Sequence, residues 1–303
     1  MKRRDFLKAV SAALIGAGFA PDVVARMIEP YALRPGDYGD YIADYLQKMR
    51  NYDAPHREDV FADPERLAIF ERLVTRIDRL EAIAGQGHFQ LLAFDEALTI
   101  ARGSDRVGAF PQDELEYLED IFYRDATVYG FYGEKSLRRI TDRIPEDQVV
   151  KVPHSGHYLY KGLPLATYER IKRDIGARAI LTSGVRGVMK QFALFLRKAF
   201  ENNANLSLAS RSLAPPGYSF HGISDFDVGQ VGLGEDNFTR RFTGSEVYRR
   251  LIELEYVAIR YPIDNLVGVR YEPWHIKVDY RALLLPDTRR AHGAGAPDSN
   301  SRD

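Results

Sequence analysis

The chain has 303 residues, enough for one large domain or two smaller ones. Apolar residues make up 45% and charged residues 28%, as is typical of a soluble globular protein that buries a core. The formal net charge of −1 offers no basic surface of the kind that nucleic-acid-binding proteins use. The absence of cysteine excludes disulfides and thiolate metal sites, so any metal would be held by His, Asp or Glu.

The first residues have the pattern of an export signal. Lys2, Arg3 and Arg4 precede an apolar stretch over Ala9–Ala20, the order found in a secretory signal. Arg-Arg followed by Asp-Phe-Leu-Lys is similar to a twin-arginine signal. The apolar stretch is short for a membrane span. We therefore expect a signal peptide over 1–25 and a periplasmic or extracytoplasmic protein without a stable membrane span after export. The alternatives are a retained amphipathic helix or an uncleaved anchor.

Apolar residues at helical spacing dominate the segment 36–145. Asp63-Pro64 predicts the start of a helix, with Asp as the cap and Pro at the first position, and Gly85 predicts its end. A further helix is predicted over 89–101. We therefore expect a mostly helical N-terminal subdomain over 36–145, one that wraps or covers a cleft in the rest of the chain.

From Val149 onward, strand-like and helix-like segments alternate, which predicts a separate core over 149–286. The segment 202–218 is polar and then rich in Pro and Gly, which predicts a surface loop. The tail over 289–303 has the composition of a disordered segment. The predicted strands and helices of the core are 149–152, 165–175, 179–182, 188–200, 245–254, 257–261 and 267–271.

Histidines and acids in two separated segments form a candidate metal site. Two imidazoles and one carboxylate suit zinc and leave a position open for water, which makes His221, Asp227 and His275 the candidate ligands. Asp225 and Asp227 would share a face of an extended strand, so either could reach the metal. Glu272 would act as a general acid/base beside His275 if the strand ends at Glu272 and the next proline turns the chain.

These residues resemble the motifs of the zinc D-alanyl-D-alanine carboxypeptidase family typified by VanY. The resemblance covers roughly 150–280. Asp227 follows His221 by six positions, one fewer than is usual in the family. The matching motifs are Ser219-Phe-His221, Asp227-Val-Gly229 and Glu272-Pro-Trp-His275, together with Ser183-Gly-Val-Arg186 and the following Gln191.

The resemblance implies an α+β fold, in which a small antiparallel sheet with flanking helices carries the zinc site. It does not explain the mostly helical region predicted before it. It implies zinc on His221, Asp227 and His275, with Glu272 as the catalytic base. Arg186 would bind substrate, either its carboxylate or the developing oxyanion. By the same resemblance, Gln191 and Ser219 line the substrate pocket, although either could instead pack or cap.

The function expected from this resemblance is an exported zinc peptidase that cleaves a terminal residue from peptidoglycan stem peptides. Two alternatives stay open: a non-catalytic wall-peptide-binding module of the same fold, and an endopeptidase of peptidoglycan cross-bridges. Separately, His154 and His157 form a His-x-x-His pair. This pair could make a second metal site or stand at the rim of the cleft, but the neighbouring Pro and Gly favour an ordinary loop.

Overall fold

The computed structural model describes residues 38–278, which form a four-stranded antiparallel sheet flanked by helices, with a helical region before it. The predicted α+β class is confirmed. The predicted signal peptide (1–25) and disordered tail (289–303) lie outside the described residues, as does the end of the predicted core. Within 38–278, no helix has both the length and the apolar character that crossing a membrane requires.

From residue 38 onward, the N-terminal region contains five α-helices. The start at Asp63-Pro64 is confirmed: the Asp63 side chain accepts a hydrogen bond from the Glu65 amide, and one 3-10 turn leads into the long second helix. The helix predicted over 89–101 begins only at Phe94. The five helices are α1 (Tyr38–Arg50), α2 (Leu67–Ala84), α3 (Gln86–Phe89), α4 (Phe94–Arg102) and α5 (Gln112–Tyr123).

The core that follows alternates strands and helices. Strands β1 (Val149–Lys151) and β2 (Tyr158–Tyr160) form a two-stranded ribbon, and the larger sheet has the order β3-β4-β6-β5. The larger sheet contains β3 (Ala179–Ser183), β4 (Phe226–Gln230), β5 (Ala258–Tyr261) and β6 (Glu272–Lys277). The helices are α6 (Leu163–Ile175), α7 (Val188–Phe200), α8 (Leu206–Ser212) and α9 (Glu246–Leu251).

One core joins the N-terminal helices to the rest of the molecule. The buried faces of α2, α4 and α5 pack in the same apolar cluster as α7 and α8. A second apolar cluster fills the space between the sheet and helices α6 and α9. The sheet therefore packs against α6 and α9, while α7, which follows β3 in the chain, packs with the N-terminal helices.

The prediction of a surface loop over 202–218 is wrong for its central part. Residues 206–212 form α8, and every one of them is buried. Asn205 caps this helix by accepting a hydrogen bond from the Leu208 amide at 2.8 Å. Arg211 is buried in an ion pair with Asp59, whose carboxylate it contacts at 2.6 and 2.9 Å. The polar composition was misleading because Asn205 and Arg211 find a common partner in Asp59, about 150 positions away.

The prediction of a strand over 267–271 is also wrong, because the strand β6 begins at Glu272 and does not end there. Ile259 pairs with Ile276, and Tyr261 pairs with Glu272, so β6 advances four residues while β5 advances two. This bulge matters for the site. Residues three apart face opposite sides of a regular strand, yet here Glu272 Oε2 lies 3.1 Å from His275 Nδ1.

Candidate metal centre and its cavity

The three predicted ligands come from two paired strands of the sheet and from the turn before one of them. Asp227 on β4 and His275 on β6 are directly paired residues in the antiparallel ladder. His221 lies in the 3-10 turn Phe220–Gly222 before β4. All three are buried, with 1%, 1% and 4% of their surface exposed for His221, Asp227 and His275. One ligand atom from each lies within 4.8 Å of the others, and this is the one such group among residues 44–278.

His221 has its tautomer fixed by the backbone. Its Nδ1 lies 2.7 Å from the carbonyl oxygen of Gly184, an acceptor, so Nδ1 carries the proton and donates it. Its Nε2 is left with a lone pair, 3.3 Å from Asp227 Oδ1 and without a hydrogen-bond partner. Burial and the nearby Arg186 guanidinium lower the pKa of His221, which keeps the ring neutral. A neutral imidazole is the form that binds a metal.

His275 is turned the other way. Its Nδ1 faces the cluster, 3.8 Å from Asp227 Oδ1, and its Nε2 points away towards Asp225 Oδ2 at 3.3 Å. Burial opposes protonation of this ring, but the carboxylates of Asp225 and Glu272 outweigh it and raise the pKa of His275 to about 9. In the metal-free protein this imidazole therefore carries a proton at neutral pH.

Asp227, and not Asp225, belongs to the cluster. Asp225 is engaged by the Arg260 guanidinium through two hydrogen bonds of 2.6 and 2.9 Å, and its Oδ1 also accepts from the Val278 amide. Although both carboxyl groups are buried, neighbouring cations hold the pKa of each well below its usual range. The alternative that the sequence left open is decided by Arg260, because it occupies Asp225 from behind the site.

The cluster fits a metal ion. His221 Nε2 and Asp227 Oδ1 are buried, have no hydrogen-bond partner and point towards each other. A buried polar atom without a partner costs about 1–3 kcal/mol, so such atoms normally face a ligand, water or ion. Two imidazole nitrogens and a carboxylate oxygen are a donor set suited to zinc with one position left open.

Glu272 stands beside this cluster on the bulged strand. Its side chain is buried, and besides contacting His275 it has Oε1 3.9 Å from Nε of Arg270. Pro273 follows it and has no amide hydrogen to donate to the ladder, which is compatible with the bulge. The carboxylate predicted as the base is thus next to the candidate ligands without being one of the three.

Arg186 holds the outer face of the cluster. Its Nη2 donates to Asp227 Oδ2 at 2.7 Å, and its Nε donates to the Ser183 hydroxyl at 2.9 Å. The guanidinium lines the cavity and is partly exposed there. Its contact with Asp227 leaves the other carboxylate oxygen, Oδ1, facing the histidines.

Of the two predicted pocket residues, Ser219 lines the cavity and Gln191 does not. Gln191 is buried and spans two backbone groups, donating from Nε2 to the Arg186 carbonyl and accepting at Oε1 from the Gly217 amide, both at 2.9 Å. Its amide is therefore a brace that ties the loop bearing Arg186 to the segment before His221. Gln191 thus makes the packing contacts that the sequence left open as the alternative to lining the pocket.

The cavity over the cluster has a volume of about 620 Å³ and is open to solvent. His157 lines it, and burial together with Arg186 lowers the pKa of His157 to about 4, so the ring is neutral at pH 7. His154 is exposed in the loop, so the pair forms no second metal group within residues 44–278.

Several residues that line this cavity were not predicted from the sequence, among them a tyrosine and an arginine. Tyr52, from the N-terminal region, and Arg270, just before β6, both line the cavity wall. Neither belongs to a recognisable motif, and no sequence signal could have brought Tyr52 to a site more than a hundred residues away.

Fold and site together define an α+β core with a buried His-Asp-His cluster at the floor of an open cavity. Residues 166–281 match a family model described as VanY: D-alanyl-D-alanine carboxypeptidase. The resemblance predicted from the motifs is thereby confirmed for this segment, which contains all three candidate ligands and Glu272. No curated protein sequence matches the chain.

The solved structures that are similar to parts of the chain include three with a TM-score of 0.36 each. One is a mutant of the vancomycin-resistance D,D-pentapeptidase VanY from a VanB-type cassette with Zn(II), at 27% identity, covering 48% of this chain and 88% of that one. The second is VanYB with D-alanine-D-alanine, at 27% identity and coverages of 46% and 83%. The third is the LdcB LD-carboxypeptidase, at 22% identity and coverages of 46% and 68%.

Proposed function

We propose that this protein is a zinc-dependent carboxypeptidase that hydrolyses the terminal peptide bond of peptidoglycan stem peptides of the D-alanyl-D-alanine type. The observation that carries the proposal is the convergence of His221 Nε2, His275 Nδ1 and Asp227 Oδ1 at the floor of an open cavity, with Glu272 beside them. The match of residues 166–281 to the VanY family model supports the choice of substrate.

His221, Asp227 and His275 would hold the zinc ion. Zinc in such a site supplies a Lewis acid that lowers the pKa of water towards neutrality and polarises a carbonyl group. His221 is held by its hydrogen bond to Gly184 and His275 lies in ion-pair contact with Asp225, so that one nitrogen of each imidazole faces Asp227. In metal sites, groups that contact the other nitrogen of a histidine ligand orient its ring towards the ion.

Glu272 would act as the general base and acid of the reaction. It would take a proton from the attacking water as the water oxygen bonds to the carbonyl carbon, and pass it to the amine nitrogen as the C–N bond breaks. The products are a shortened peptide with a new carboxylate and a free amino acid. Arg186, partly exposed in the cavity, would stabilise the negative charge that develops on the carbonyl oxygen.

A non-catalytic binding module is the main rival. The short spacing between His221 and the following aspartates favoured this rival, since a shifted carboxylate could leave the metal site incomplete. Asp227 nevertheless lies in the cluster, which supports an intact site. A module that only binds peptide has no need for Glu272 next to the candidate ligands.

The test uses the purified full chain loaded with zinc and a stem pentapeptide that ends in D-alanyl-D-alanine. Mass spectrometry should show release of the terminal residue. Glu272→Gln should keep zinc, measured by metal analysis, and reduce the cleavage rate at least about 100-fold. Glu253→Gln, at an exposed position, is the matched control and should be unchanged. Zinc retention without Glu272-dependent cleavage of any wall peptide would sink the enzyme proposal, and cleavage of cross-linked fragments alone would favour an endopeptidase.

We also propose that the protein is exported by a twin-arginine-type route, on the basis of the Arg3-Arg4 pattern before an apolar stretch. Replacing both arginines with lysine should leave the protein in the cytoplasm. Cell fractionation and immunoblotting measure this, and an unchanged distribution would contradict the route.

A further inference from the structure

Arg270 is an arginine at the cavity wall whose chemistry the proposed function does not use. Its guanidinium carbon lies 4.8 Å from the ring centroid of Tyr52 and 4.8 Å from that of Trp274. Nη1 donates to the Tyr52 hydroxyl at 3.1 Å, and the backbone amide donates to the carbonyl of Arg211 at 2.9 Å. The side chain is therefore fixed in place, with 15% of its surface exposed.

The Nε atom of Arg270 has no hydrogen-bond partner although it is buried. Glu272 Oε1 is the nearest carboxylate oxygen, at 3.9 Å, which is too far for a hydrogen bond. A guanidinium binds a carboxylate best through two parallel N–H groups. Because this Nε lacks a partner, a ligand oxygen that reached it from the cavity would add a hydrogen bond without displacing one.

The position of this atom relative to Glu272 identifies which part of a substrate it can reach. In the proposed reaction Glu272 hands its proton to the nitrogen of the leaving residue. In an amino acid the carboxylate carbon is about 2.5 Å from that nitrogen. A carboxylate on the leaving residue would therefore lie within a few ångströms of the nitrogen that Glu272 protonates, and Arg270 Nε is 3.9 Å from Glu272 Oε1 in the same cavity.

Arg186 is less suited to this task. Its Nη2 and Nε are already hydrogen-bonded, to Asp227 and Ser183. These two hydrogen bonds hold the Arg186 guanidinium against the carboxylate of Asp227. Arg270 is the cavity arginine that has an unpartnered buried donor.

We propose that Arg270, held between Tyr52 and Trp274, binds the C-terminal carboxylate of the residue that leaves, and so makes the site select a chain end over an internal peptide bond. The proposal rests on the proposed function and sharpens it. A free carboxylate is the chemical difference between the end of a stem peptide and a cross-bridge, where the same position is an amide. Because Tyr52 contacts Arg270, the N-terminal region would contribute to the choice of substrate.

The test compares two peptides that share the same scissile bond. One ends in D-alanyl-D-alanine with a free carboxylate, and the other has that carboxylate amidated. The zinc-loaded wild-type protein should prefer the free acid, and Arg270→Gln should lower kcat/KM about 30-fold for the acid and little for the amide. Arg270→Lys keeps the positive charge but loses the planar pair of N–H donors. Its kcat/KM for the free acid should lie between those of the wild-type protein and Arg270→Gln.

Arg249→Gln removes an exposed arginine and should leave both values unchanged. Circular dichroism and thermal unfolding establish that each variant is folded. Equal losses for acid and amide in Arg270→Gln would overturn the proposal, because Arg270 would then act through Glu272 or through packing. A wild-type protein that does not distinguish the two peptides would overturn it as well.

If the protein cleaves neither peptide, the proposed function fails, and calorimetry with the same peptides still decides the role of Arg270. Tighter binding of the acid than of the amide, lost in Arg270→Gln, would support carboxylate recognition. Equal binding of the two peptides would overturn it.

Discussion

Asp225 Oδ2 lies 3.3 Å from Nε2 of His275, on the side of the imidazole opposite to the candidate metal cluster. Arg260 holds that carboxylate through two hydrogen bonds and stacks over Phe220, with the guanidinium carbon 3.9 Å from the ring centroid. The ring of His275 is thus set from behind, so that Nδ1 faces Asp227. Asp225, which looked like a rival ligand in the sequence, is engaged by Arg260 and contacts the far side of the His275 ring.

Asp225→Asn should weaken zinc binding by roughly 10- to 100-fold, the usual cost of losing a carboxylate behind a histidine ligand. The zinc dissociation constant is measured by competition with a chelator. Asp264→Asn, at an exposed position, is the control. Unchanged zinc affinity in a folded Asp225→Asn protein would show that the contact does not orient His275.

Zinc binding should release about one proton at pH 7. The pKa of His275 is raised to about 9 in the metal-free protein, so the ring is protonated at pH 7, whereas a metal ligand must be neutral. The pKa of His221 is lowered, so that ring has no proton to give up. Zinc affinity should therefore rise about tenfold per pH unit from pH 7 and level off above pH 9.

Isothermal titration calorimetry in buffers of different ionisation enthalpy measures the number of protons released. The same titration at pH 10 is the internal control, because His275 is then already neutral. Zinc binding without proton release at pH 7 would contradict the raised pKa.

Gly184→Ala should disturb both the fold and the metal site. A methyl group at this position would meet the Tyr158 carbonyl oxygen at 2.0 Å, far inside contact distance. The carbonyl of Gly184 also accepts the hydrogen bond that fixes His221. We expect a loss of about 1–3 kcal/mol in the free energy of unfolding, together with weaker zinc binding.

Urea denaturation of the metal-free protein and chelator competition measure the two effects of Gly184→Ala. Gly244→Ala is the matched control, since nothing lies within 4 Å of a methyl group there. Wild-type stability and zinc affinity in Gly184→Ala would mean that β2 can move away from this loop at no cost.

Arg211→Ala should reduce the free energy of unfolding by about 3–5 kcal/mol, because it leaves the buried carboxylate of Asp59 without its cation. Arg211 also donates to the Tyr52 and Ala54 carbonyls. The substitution therefore removes hydrogen bonds between the N-terminal region and α8. Arg241→Ala breaks an exposed ion pair with Asp236 and should cost at most about 1 kcal/mol. Equal effects of the two substitutions, measured by urea denaturation, would contradict this account.

Much of the site could be predicted from short segments. His221, Glu272 and His275 were identifiable because their residue types and close neighbours, such as Glu-Pro-Trp-His, carry the chemistry within a few positions. Helix α2 was identifiable for a similar reason, since its Asp63-Pro64 start depends on adjacent residues. Helix α8 was not, because its burial depends on Asp59, about 150 positions away.

By itself, the sequence determined which kinds of donor are available: two imidazoles, nearby carboxylates and no thiolate. Tertiary structure decided which carboxylate faces the cluster, because Arg260 pairs with Asp225 and leaves Asp227 to the histidines. It also decided that the Gln191 amide bonds to two backbone groups and that Tyr52 contacts Arg270. Donor chemistry is a property of single residues, whereas orientation and pairing depend on partners that only the folded chain brings together.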